Sequence, residues 1–348
     1  MHIENHARFS EHMGGYGFMR EPNSSIFSDD HEGFGRPPKR TRPRTKERPD
    51  YSSLPVARVV TIDRGRYRCV VDGTDVTAAK ARALGKKSVI VGDIVRLDGD
   101  VSGDPGSLAR IAEVEQRRTV LRRTADDDDP YERPIVANAD QLVIVASLAE
   151  PEPRMGMIDR ILVAGYDAGL DPILCLTKAD LAPADELVAE YEPLGIPWFV
   201  LQPGCDLDPL RAALDAKTSV FIGHSGVGKS TLVNELIPDA ERSTGSVNEV
   251  TGKGRHTSTS AIALQLPDST GWVIDTPGVR SFGLKHVDPD HVISAFSDLA
   301  EIAQDCPRGC THRADQPECA LDDAVRAGTL PAKRLESFRR IELSRTDW

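Results

Sequence analysis

The stretch GHSGVGKS, Gly223 to Ser230, constrains the fold more than any other part of this chain. Its spacing is Gly-x4-Gly-Lys-Ser, and it lies between SVFI (Ser219 to Ile222), a run suited to a buried strand, and STLVNELI (Ser230 to Ile237), which reads as a helix. Strand, glycine-rich loop and helix in that order form a phosphate cradle, because the loop's N–H groups and the helix N-terminus both point at the anion. The backbone from Gly223 through His224, Ser225, Gly226, Val227 and Gly228 would wrap the phosphates, with Thr231 completing the site. Lys229 would reach the β and γ oxygens, and the Ser230 hydroxyl can ligate Mg²⁺.

Such a loop needs a mostly parallel, doubly wound sheet around it, and the surrounding sequence supplies one. Strand candidates are QLVIVASL (Gln141 to Leu148), PILCL (Pro172 to Leu176), IPWFVL (Ile196 to Leu201) and GWVI (Gly271 to Ile274). Between the first two, MIDRILVAG places Ile158, Ile161, Leu162 and Gly165 on one helical stripe. Asp275 of DTPG follows GWVI, where a carboxylate can hold Mg²⁺ through water, and Gly278 can offer its N–H to a γ-phosphate.

Base identity rests on TKAD: Thr177, Lys178, Ala179 and Asp180, directly after the strand PILCL. An aspartate there accepts from both N1–H and the exocyclic amine of guanine, donors that adenine does not present together, while the lysine stem covers the ring. The usual first residue is Asn, and the Thr177 hydroxyl is shorter than that amide. This loop precedes the phosphate loop, whereas an ordinary GTPase has it after. A sheet is held by pairing in space, so the order implies circular permutation: base loop, phosphate loop, switch I, switch II. The DTPG switch then leads directly into the C-terminal segment.

Residues 54–123 carry 14 basic and nine acidic side chains, a balance of +5 within a chain of net charge −11. Their pattern is short and β-like: alternation at Tyr67, Cys69 and Val71, then SVIVGDIVRL (Ser88 to Leu97) and LARIAEV (Leu108 to Val114). A small barrel of the oligonucleotide-binding kind is expected over 51–121, with a polyanion as its partner. Residues 1–50, ending in RPPKRTRPRTKERP (Arg36 to Pro49), have no apolar period and read as a disordered basic tail, either solubilising or phosphate-gripping. No apolar run approaches a bilayer span, and the start lacks a signal-peptide pattern, so the cytoplasm is the expected compartment, with no membrane partner.

Cys306, Cys310, His312 and Cys319 gather four soft ligands into fourteen residues. Three thiolates and one imidazole suit tetrahedral Zn²⁺, and with no open position the ion, one per chain, would be structural. Helical material follows through KRLESFRRIELSR (Lys333 to Arg345), placed to pack on the zinc or to touch RNA.

These motifs together resemble the ribosome small-subunit-dependent GTPase A family, bacterial circularly permuted GTPases of late 30S maturation. The resemblance covers about residues 55–345 and rests on VLRRTA (Val120 to Ala125), ERPIVANAD (Glu132 to Asp140), GHSGVGKST, GKGRHTSTS (Gly252 to Ser260), DTPGVRSFGL (Asp275 to Leu284) and the cysteine cluster. It implies an oligonucleotide-binding barrel (51–121), a permuted GTPase domain (122–288) and a zinc-binding helical domain (289–348). It also implies GTP and GDP as ligands, Mg²⁺ with GTP, and the 30S subunit with its 16S rRNA as partner; a monomer is expected.

By that resemblance, Thr257 or Thr259 of switch I joins Ser230 and Asp275 in holding Mg²⁺. Val279 stands where many GTPases carry a water-orienting Gln, and valine cannot orient water, so His256 is the expected catalytic residue. Gly226 replaces the Asn of potassium-activated relatives, so no potassium requirement is inferred. Two other readings remain at this stage: an RNA-binding scaffold in which nucleotide only stabilises the fold, and an adenine-specific enzyme in which Thr177 marks lost guanine selectivity.

Overall fold

The computed structural model describes residues 50–85, 89–124, 131–238, 261–279, 282–284, 287, 289–314 and 316–343. The basic tail, all of GKGRHTSTS, and the acidic run Asp126 to Asp129 lie outside those residues.

The N-terminal part is a closed five-stranded barrel. Its strands are β1 (Val56–Asp63), β2 (Arg66–Val71), β3 (Thr74–Lys80), β4 (Ile94–Gly99) and β5 (Ala109–Val114). They run in the order β1-β2-β3-β5-β4, and β4 returns to pair with β1. The β3–β5 pair is parallel and the others are antiparallel. The expected alternation holds: Tyr67, Cys69 and Val71 point inward with Val59, Val95, Leu97 and Ile111. Burial pushes the Cys69 thiol up to about 12, so it is a packing group rather than a nucleophile.

The run SVIVGDIVRL is not one strand. Its chain turns at Gly92 (φ +89°), where an added Cβ would stand 2.1 Å from the Ala137 carbonyl oxygen, and pairing resumes only at Ile94. Asp93 is wholly buried at this turn, accepting from the Ile90 N–H at 2.8 Å and pairing with the Arg117 guanidinium. Apolar composition alone hides such a break, because the residues on both sides of the turn are buried.

A hairpin follows, formed by β6 (Val120–Arg123) and β7 (Arg133–Ala137). Then come β8 (Gln141–Ser147), α1 (Met155–Asp167), β9 (Asp171–Thr177), α2 (Asp185–Tyr191), β10 (Trp198–Val200), α3 (Asp208–Leu214), β11 (Thr218–Gly223), α4 (Lys229–Leu236), β12 (Ile262–Gln265) and β13 (Trp272–Asp275). In space the order is β10-β9-β8-β11-β13-β12, parallel except for β12. The sheet continues into the barrel through one antiparallel pairing, Thr61 with Ile262.

The single stripe expected on α1 understates its burial. Every residue from Met157 to Tyr166 is buried, because C-terminal helices cover the face turned away from the sheet. Those helices are α5 (Pro289–Ser294), α6 (Ser297–Ala303), α7 (Ala320–Ala327) and α8 (Ala332–Leu343). Burial there requires paired charges. Arg340 of α8 reaches Asp159 of α1 at 3.1 Å and also pairs with Glu190, while the Tyr191 hydroxyl donates to Asp159 at 2.9 Å. Burial pushes the Asp159 carboxyl above its ordinary range, and Arg340 opposes that rise. Phe338 packs edge-on against Phe296, which does the same to Tyr166.

Candidate functional site

Three loops converge at the carboxyl ends of the parallel strands, the usual ligand edge of an open α/β sheet. The loop after β11 enters α4 through Gly228, whose φ of +88° is a left-handed conformation that a side chain would strain. Lys229, the first residue of that helix, is buried and forms an ion pair with Asp275 at the end of β13. The two residues expected to handle phosphate charge and Mg²⁺ therefore lie against each other.

The DTPG segment is tied to the phosphate loop through its backbone. The Val279 N–H donates to the Gly223 carbonyl at 3.1 Å, and the Thr276 hydroxyl donates to the Phe221 carbonyl at 2.7 Å. A Cβ on Gly278 would meet the Ser225 backbone at 3.3 Å, so only glycine brings these segments so close without displacement. The Val279 side chain is buried in the core. Downstream, the buried Arg160 of α1 donates from Nε to the Phe282 carbonyl at 2.7 Å, and Gly283 exchanges backbone hydrogen bonds with Thr124 beside the hairpin.

The base loop follows β9, two strands from β11. Thr177 Oγ1 lies 2.5 Å from the Val227 carbonyl of the phosphate loop and 3.3 Å from the Ala146 carbonyl, so its one proton ties the two nucleotide loops together. A hydroxyl reaches because the threonine packs directly against Gly228. Lys178 has a left-handed φ of +61° and donates from Nζ to the Glu150 carbonyl, while Asp180 is exposed. Ser230 and Thr231 are exposed on the first turn of α4, and His224 Nδ1 lies 2.8 Å from the Ser225 carbonyl. His256, Thr257 and Thr259 lie outside the described residues.

The cysteine cluster is brought together in the C-terminal region. The ligand atoms of Cys306, Cys310, His312 and Cys319 lie within 4.8 Å of one another. From His312 Nδ1 the three sulfurs are 3.6, 3.5 and 3.8 Å away. A tetrahedral Zn²⁺ with ordinary Zn–S and Zn–N bonds would set that separation at about 3.6 Å. The group can therefore hold a metal such as zinc. Its surroundings hold the ligands in place: Ala320 N–H points at Cys306 Sγ from 3.3 Å, and Arg339 of α8 donates to the His312 carbonyl at 2.7 Å while gripping Asp322. Sequence reasoning left α8 between packing on the cluster and touching RNA; Arg339 packs it there. Arg160 and Arg339 were not singled out from sequence, since neither carries a motif and each acts on a backbone carbonyl distant in the chain.

Strand order, phosphate loop and preceding base loop define a circularly permuted P-loop GTPase. A family model described as RsgA GTPase matches residues 114–285. The small ribosomal subunit biogenesis GTPase RsgA of Pseudomonas aeruginosa (strain LESB58) is 39% identical over 249 residues, covering 69% of this chain and 72% of its own. RsgA 1 of Vibrio vulnificus (strain YJ016) is 37% identical over 268 residues, 74% of each chain. Among solved structures, YjeQ from Thermotoga maritima aligns with a TM-score of 0.61 at 25% identity, over 84% of this chain and 99% of the other. YloQ, titled a circularly permuted GTPase, aligns at 0.59 and 23% identity, over 84% and 95%. The chain belongs to the RsgA GTPase family and is a GTP-hydrolysing enzyme.

Proposed function

We propose that this GTPase acts in late maturation of the small ribosomal subunit in the bacterial cytoplasm, docking on the 30S particle and its 16S rRNA with GTP bound and leaving after hydrolysis. The observation that carries the reading is the convergence of switch and base loops on one phosphate loop: Val279 on Gly223, Thr177 on Val227. A γ-phosphate contact at Gly278 would then shift a segment whose next turn is held by Arg160 and by the hairpin. The names of the relatives, small ribosomal subunit biogenesis GTPases, supply the partner.

In this reading Asp180 accepts from the guanine edge, Lys178 and Ala179 cover it, and Thr177 sets the loop. The backbone from Gly223 to Gly228, with Thr231, holds the phosphates. Lys229 exchanges its buried partner Asp275 for phosphate oxygens, so neither charge is left unpaired. Ser230, Asp275 and Thr257 or Thr259 would hold Mg²⁺, which when bound neutralises charge on the β and γ oxygens. His256 positions the attacking water, a role Val279 cannot take. A structural zinc, one per chain, on Cys306, Cys310, His312 and Cys319 fixes the C-terminal helices. The chain works as a monomer divided into a tail (1–50), barrel (51–121), GTPase domain (122–288) and zinc-binding helical domain (289–348).

Co-sedimentation with 30S subunits tests the nucleotide switch. Retention with a non-hydrolysable GTP analogue and release with GDP are expected; equal retention in both states would favour a nucleotide-stabilised scaffold instead.

A further inference from the structure

GTP hydrolysis requires the DTPG segment to tell GTP from GDP, and one buried side chain outside the nucleotide loops bears on how it does so. Arg160, on α1, is 3% exposed, and its Nε donates at 2.7 Å to the Phe282 carbonyl, 122 residues away in the chain. Phe282 lies four residues beyond Gly278, and its ring is buried in the same core as Ile158, Ile161 and Val279.

The segment is therefore tied at two places. At its near end the Thr276 hydroxyl and the Val279 N–H donate to the Phe221 and Gly223 carbonyls, at 2.7 and 3.1 Å. At its far end Arg160 holds Phe282, and Gly283 exchanges backbone hydrogen bonds of 3.2 and 3.3 Å with Thr124. The two far ties are unequal. The bonds to Thr124 join neutral groups, whereas the bond from Arg160 has a charged donor, and turning the Phe282 peptide away would take an acceptor from a buried guanidinium. The helix that carries Arg160 is itself fixed. The adjacent Asp159 is held by Arg340 at 3.1 Å and by the Tyr191 hydroxyl at 2.9 Å, so α1 cannot turn about its axis without breaking one grip or the other.

Gly278 lies against the phosphate loop in this arrangement, since a Cβ on it would meet the Ser225 backbone at 3.3 Å. Every tie is internal to the chain, so little conformational freedom is left to lose when a γ-phosphate arrives. GDP, which has no γ-phosphate, gains nothing from that order.

We propose that Arg160 is a positioning residue for GTP hydrolysis: by pinning the Phe282 carbonyl it holds the DTPG segment ready for the γ-phosphate, and so sets both the preference for GTP over GDP and the turnover rate. The proposal rests on the γ-phosphate contact at Gly278 in the reading above; the pin itself rests on Arg160 and Phe282.

The test compares the full chain with variants that differ at the Nε position. Arg160→Met puts a methyl where the Nε–H stood, and Arg160→Gln puts a neutral amide donor the same number of bonds from the backbone. Affinities for a fluorescent GDP and for a fluorescent non-hydrolysable GTP analogue are read by titration, and kcat is read at saturating GTP. Arg160→Met should bind the GTP analogue about tenfold more weakly and lower kcat by about the same factor, with GDP affinity within about twofold of wild type. Arg160→Gln should fall between them, with a GTP-to-GDP affinity ratio about threefold below wild type, and it carries the test alone if the methionine variant does not fold. Equal loss of GTP and GDP affinity would mark Arg160 as a packing residue and overturn the proposal, as would a wild-type ratio and kcat in these variants. Gly278→Ala, titrated in the same way, should lower the ratio by itself. A wild-type ratio there, with a lowered ratio in Arg160→Met, would overturn the Gly278 contact and leave the pin standing; the reverse pattern would overturn the pin alone.

Discussion

The Thr177 hydroxyl links the loop after β9 to the loop after β11. Its proton reaches the Val227 carbonyl at 2.5 Å, holding the base loop against the phosphate loop. Thr177→Val keeps the shape and removes the bond, so GTP and GDP should both bind about five- to tenfold more weakly, the equivalent of one buried hydrogen bond. Thr177→Ser should restore most of that affinity in a fluorescent-nucleotide titration; unchanged binding by the valine variant would remove the tether from the account. A second residue-scale prediction concerns pH. Arg334 grips Asp298 with two hydrogen bonds, of 2.9 and 2.7 Å, and that bonding holds the Asp298 carboxyl below its ordinary value of 3.8. Folding therefore gains from this pair above about pH 4 and loses the gain as pH falls through the lowered value. Asp298→Asn should melt about 1–3 °C below wild type near pH 7, a small gap because the pair is partly exposed, and the gap should narrow as pH falls below about 4.

Among the elements, the strands of the GTPase sheet were legible because each is an apolar run with a motif or turn at its end: QLVIVASL gives β8, SVFI gives β11, and GWVI gives β13. The strand β12 was not read from sequence; its four residues, Ile262 to Gln265, are too short to show a period. α1 was read as amphipathic, but Asp159 and Arg160 on its other face are partners for Arg340 and for the Phe282 carbonyl, a pairing that no local pattern announces. The cysteine cluster was legible as a ligand set, whereas the Arg339 brace on His312 was not. Because the cluster anchors α7 and α8, removing the zinc proposed for it should loosen those helices selectively. Prolonged chelation, or Cys319→Ser, should bring zinc content from one per chain to near zero and raise amide exchange in residues 306–343 before the β-sheet core responds. Uniform exchange across the whole chain would contradict a local structural role.

At the scale of the whole molecule, permutation joins the switch to the C-terminal helices. DTPG at Asp275 to Gly278 is followed by Phe282 and Leu284 in the core and then by α5, with no intervening strand among the described residues. The barrel meets the same sheet through β1 and β12, so the barrel on one side and the C-terminal helices on the other flank the GTPase sheet. Such an arrangement suits an enzyme whose hydrolysis depends on its partner. The most direct measurement is GTP and ATP hydrolysis by the zinc-loaded chain with and without purified 30S subunits. The account predicts slow intrinsic turnover, at least tenfold stimulation by 30S for GTP alone, and loss of that stimulation in His256→Ala. Equal GTP turnover with and without subunits would contradict it.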